Sequence, residues 1–74
     1  MRFFLNVRTH DAVLVDEEGE EFPDLYQACK YAVQLASELA HKYPRRLQGR
    51  AAALPLTLEV MDDAGMLVFR APIH

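Results

Sequence analysis

With one cysteine among its 74 residues, the chain has no internal disulfide framework, and its thiol suits a reducing compartment. No apolar run approaches the roughly 20 residues of a membrane span. The amino-terminal MRFFLNVRTHD has no apolar core of signal-peptide length, so the sequence predicts a cytoplasmic protein without a membrane partner. Glycine is scarce, and no GxGxxG, P-loop or nucleophile-elbow pattern occurs. Three histidines are present, but no HxxxH or CxxC spacing accompanies them, which predicts no metal site and no cofactor. Repeats, low-complexity tracts and interdomain linkers are likewise missing, so residues 1–74 are expected to form one domain.

What is there is apolar and unevenly charged. A hydrophobic fraction of 51% with a net charge of −3 argues against a disordered chain. At this size a single core leaves only a few kcal/mol of net stability, so self-association, most simply as a homodimer, is expected. Residues 1–24 set Arg2 and Arg8 against seven acidic residues, a net of −5. Residues 25–50 carry +4 and the remainder −2. Such a dipolar chain either steers a partner or keeps its charges in solvated loops.

Periodicity places the elements. Residues 2–8, RFFLNVR, alternate with Phe3, Leu5 and Val7 on one side and Arg2, Phe4, Asn6 and Arg8 on the other, the period of a half-buried strand. A short strand over about 12–16 follows the THD turn and completes a hairpin. The stretch DEEGEEFPDLYQA then joins a glycine turn at Gly19 to a helix start, where Asp24 and Gln27 have capping-box spacing. The helix is predicted from just after Asp24 to about Tyr43, because Pro44 disfavours helical geometry in the residue before it. Its apolar side gathers Leu25, Ala28, Cys29, Ala32, Val33, Leu35, Ala36, Leu39, Ala40 and Tyr43, with Tyr26 at its border and Tyr31 an aromatic intruder on the polar side. Residues 44–55 read as a loop or broken helical turn. Residues 56–62 alternate again, the DDAG turn needs a positive φ at Gly65, and a last strand over 66–71 ends at Pro72. The order is ββαββ, an α+β fold with an antiparallel sheet and one helix packed on one face.

The FF-containing first strand, the DEEG turn with its following E, F, P, D, L and Ala28, and the closing EVMDDAG hairpin resemble a small bacterial family of domains of unknown function. The resemblance spans nearly the whole chain and implies the ββαββ order. It brings no activity and no catalytic residues.

Each chemical candidate has a plainer explanation. Cys29 on the apolar helix face reads as a small core hydrophobe. The DEEGEE run could hold a hard cation, but it lacks the alternating spacing and distal glutamate of a calcium loop and reads as a solvated turn. Arg45, Arg46 and Arg50 are possible anion contacts, yet the acidic chain lacks interleaved aromatics, and specific nucleic-acid binding is not expected. Nothing marks an enzyme, since no polar cluster converges. Two readings remain. One is an interaction module, self-associating or binding an unknown protein through Phe4, Met61, Val68 and Tyr31, although these are equally scattered surface hydrophobes. The other is an antitoxin-like regulator acting on a partner protein.

Overall fold

The computed structural model describes residues 1–42 and 55–73. Its elements are β1 (Arg2–Arg8), β2 (Val13–Leu14), β3 (Glu20–Glu21), α1 (Leu25–Lys42), β4 (Thr57–Met61) and β5 (Leu67–Pro72). All pairings are antiparallel, in the order β2-β1-β4-β5, with β3 pairing the other end of β1. The α+β architecture expected from the sequence is the one observed.

The second strand is split, which the alternation pattern did not predict. Val13–Leu14 pair with Arg8 and Val7, and Glu20–Glu21 pair with Phe3 and Arg2. Between them the chain bulges away from β1, and side chains take over the pairing. The Leu5 amide donates to Asp16 Oδ2 at 3.2 Å, and the Asp16 amide donates to Asn6 Oδ1 at 2.9 Å. Asp16 Oδ1 also accepts from the amides of Glu18 and Gly19, closing an Asx-type turn. Gly19 takes φ +75° there.

Pairs across the strands assign two faces. Leu5 faces Val60, Val7 faces Leu58, and Leu58 and Val60 continue to Ala71 and Phe69 on β5. These lie under α1, whose fully buried line is Ala28, Ala32 and Ala36. Methyl side chains on that line let the helix axis sit close to β4 and β5, while Leu35, Leu39 and Ala40 fill the flanks. The helix is therefore rotated from the apolar face predicted for it. Leu25 and Val33 are exposed at 39% and 54%, and Cys29 is half-buried rather than buried.

Local chemistry sets the ends of the elements. The Gln27 amide donates to Asp24 Oδ1 at 2.9 Å, so Asp24 caps α1. Asp62 Oδ1 accepts from the amides of Ala64 and Met66, and Gly65 at φ +83° completes the β4–β5 turn. Pro72 closes β5 from inside the strand. Because the Ile73 amide donates to the Leu56 carbonyl, alternation points the position of the missing Pro72 amide away from β4, where no ladder bond is lost. No helix among the described residues is long and apolar enough to cross a membrane.

Candidate interaction surface

The face of the sheet opposite α1 carries the even-numbered residues of β1 and the odd-numbered residues of β4. Phe4 pairs with Met61, Asn6 with Glu59, and Arg8 with Thr57. Glu59 continues to Arg70 on β5. Successive pairs along a strand on one face are about 7 Å apart. The face is therefore graded in composition along the strand axis.

At one end two guanidinium groups surround one carboxylate. Arg8 Nε donates to Glu59 Oε2 at 2.9 Å and its Nη2 lies 3.4 Å from Oε1, while Arg70 Nε lies 3.9 Å from Oε2. Arg8 reaches Glu59 along the diagonal of the β1–β4 pair, a distance long side chains span. The Glu59 side chain is only 8% exposed, although no helix covers it. The arginine side chains paired with it are more than half exposed. The hydrogen bond from Arg8 and the adjacent negative charge raise the Arg8 pKa above its ordinary value.

Toward the other end the surface turns apolar and then acidic. Phe4, Asn6, Val15 and Met61 line a groove of about 260 Å³ whose remaining wall is Asp16, Asp62, Asp63 and Gly65. Phe4 and Met61 are half-buried and Val15 is 64% exposed. Burial in this wall raises the Asp16 pKa, but hydrogen bonds from Gly19, Leu5 and Glu18 and the charge of Arg2 outweigh it, leaving the carboxyl below its ordinary value. Asp16 and Asp62 both spend their carboxylates on backbone amides. They hold turns.

The predicted surface residues are divided between sites. Phe4 and Met61 are brought together as cross-strand partners. Val68 sits where the β4–β5 register shifts and packs against the core. Tyr31 belongs to the other layer. Its ring lies 5.5 Å from Phe22, whose ring lies 6.2 Å from Phe3, so an aromatic chain ties α1 to the start of β1. Arg45, Arg46 and Arg50 lie outside the described residues. Glu59 and its arginines are not legible in the sequence, because the partners come from β1, β4 and β5 and only register brings them together.

A larger groove of about 450 Å³ on the outer side of α1 is lined by Tyr26, Cys29, Lys30, Val33 and Gln34. It holds one thiol, whose pKa is pushed up by burial. Among the described residues, no three His, Cys, Asp or Glu side chains come together as a metal site.

No curated protein and no solved structure matches the chain. A family model does match it, across residues 2–74. That match takes in both hairpins, the capped helix and the graded sheet face, and the chain belongs to the DUF6894 family, a domain of unknown function.

Proposed function

We propose that this chain is a protein–protein interaction module whose binding surface is the sheet face opposite α1. The observation that carries this reading is the groove formed by Phe4, Met61 and Val15 beside an arginine-held, already desolvated Glu59. An apolar centre with aromatic, methionine and arginine side chains and a charged margin is the composition of interface cores and rims. The support beneath it is a paired sheet, which presents these groups without ordering cost at binding. Binding is favoured over catalysis because two of the three carboxylates that line the groove, Asp16 and Asp62, are committed to backbone amides.

The test uses the tagged chain as bait in its native host, beside Val15→Glu and Met61→Glu variants. Val15 is exposed, so its replacement should leave the thermal melt unchanged while removing the proteins captured by the parent chain. Capture of the same proteins by both variants would place the contact elsewhere. A toxin among the proteins lost would select the antitoxin-like form of this reading.

A further inference from the structure

We infer that the occupant of the open face is a second copy of the chain, docked about a two-fold axis near Phe4 and Met61. Each Arg70 then lies over the partner's Asp62–Asp63 turn. The inference rests on the reading of this face as an interaction surface.

The face is self-complementary in one orientation only. At its basic end Arg8 and Arg70 outnumber Glu59, and at its far end Arg2 is paired with Glu21 while Asp16, Asp62 and Asp63 line the groove and leave that end acidic. Docking two copies with like ends together opposes arginine to arginine and aspartate to aspartate. A two-fold axis lying in the plane between the two faces and running across the strands exchanges the ends and lays the apolar middle on itself. Phe4 and Met61 stand one step of about 7 Å from Glu59 and Arg70, and the Asp62–Asp63 turn follows on the opposite side. An axis through that middle therefore carries Arg70 toward the partner's turn. Packed sheets lie about 10 Å apart, a gap that arginine side chains span. The two-fold contact is isologous, so it closes at two copies and leaves no unsatisfied end.

Size sets the strength. Four strands span about 19 Å and the three side-chain levels with the turn about 20 Å, a patch of roughly 400 Å² per copy that falls below stable interfaces and in the range of weak, transient contacts. A reversible dimer follows, with strong salt dependence because the paired charges lie at its margin.

Sedimentation equilibrium from about 5 µM to about 1 mM, at about 50 mM and 500 mM salt, gives the mass. The expected result is a monomer–dimer equilibrium whose dissociation constant rises several-fold with salt and about tenfold or more in Asp63→Lys. Orientation is read by oxidative cross-linking of a chain carrying Asp63→Cys and Arg70→Cys in a Cys29→Ala background, after a circular-dichroism melt shows that it folds. These positions are far apart within one chain, so a disulfide-linked dimer is expected. A monomer at every concentration would overturn the inference, as would a dimer indifferent to Asp63→Lys that gives no cross-link, the outcome for two copies joined along β5. A monomer whose captured proteins are lost in Val15→Glu would sink self-docking and leave the interaction reading standing. No dimer and no such loss would sink both.

Discussion

A Cβ placed on Gly19 would lie 2.7 Å from Cε2 of Phe4, so the turn before α1 and the aromatic on the open sheet face occupy one shared space. Gly19 is held at φ +75°, which an L side chain adopts at a cost. Both effects act against Gly19→Ala, and the Phe3 carbonyl at 3.0 Å closes the remaining direction. The expected loss is about 1–3 kcal/mol in urea unfolding. Adding Phe4→Leu should recover part of it by relieving the clash. Recovery of none would assign the whole cost to the backbone.

Asp24→Ala removes the acceptor for the Gln27 amide at the start of α1. Stability should fall by about 1 kcal/mol, the usual cost of losing such a cap. Asp24→Asn, which keeps an acceptor oxygen, should lose much less. Among the described residues no side-chain bond from Gln27 back to Asp24 completes the capping box, so Gln27→Ala should shift the midpoint little.

Acid should loosen the first hairpin through Asp16. Its carboxyl pKa is lower in the folded chain than the unfolded value of about 3.9, so the folded state favours the ionised form. That contribution is fully present above about pH 4 and is lost as pH falls through the depressed folded value. Urea midpoints measured between pH 6 and pH 2 should fall less steeply in Asp16→Asn, which starts lower at neutral pH. An identical acid limb in both proteins would assign the loss to other carboxylates.

Glu59 and Arg8 should respond unequally to deletion. Glu59 is almost wholly covered, whereas Arg8 is about half exposed and returns to water when its partner is lost. Arg8→Ala leaves a covered carboxylate with only Arg70 at 3.9 Å, so it should lower the urea midpoint at pH 7 more than Glu59→Gln, which keeps the shape and one acceptor oxygen. The reverse order would mean that Arg70 alone can hold Glu59.

Cys29 should label slowly. Burial pushes its thiol pKa up, so less of it is thiolate at pH 8 than in a free cysteine. Iodoacetamide should react more slowly with the folded chain than with the urea-unfolded one, and the gap should narrow as pH rises. Cys29→Ala should cost about 1 kcal/mol or less, given its half-buried position.

Local chemistry is what the amino-acid sequence by itself determined. The Asp24 cap, the positive φ at Gly65, the alternation of β1 and β4 and the long apolar period of α1 all arise from residues within a few positions of one another. Such interactions are legible because their geometry is set by the backbone period. The rotation of the helix was less so. The stripe from Leu25 to Ala40 spans more of the helix surface than the sheet covers, and only docking on β4 and β5 chose Ala28, Ala32 and Ala36 over Cys29 and Val33. The splitting of the second strand depended on Asp16 meeting the edge of β1 at Leu5 and Asn6, eleven and ten positions away. Glu59 between Arg8 and Arg70 required the register of three strands, with 51 residues separating Glu59 from Arg8. A one-residue slip in either pairing would send these side chains to opposite faces. The open face is therefore a product of tertiary structure, because its charges come from distant segments that only the paired sheet sets side by side.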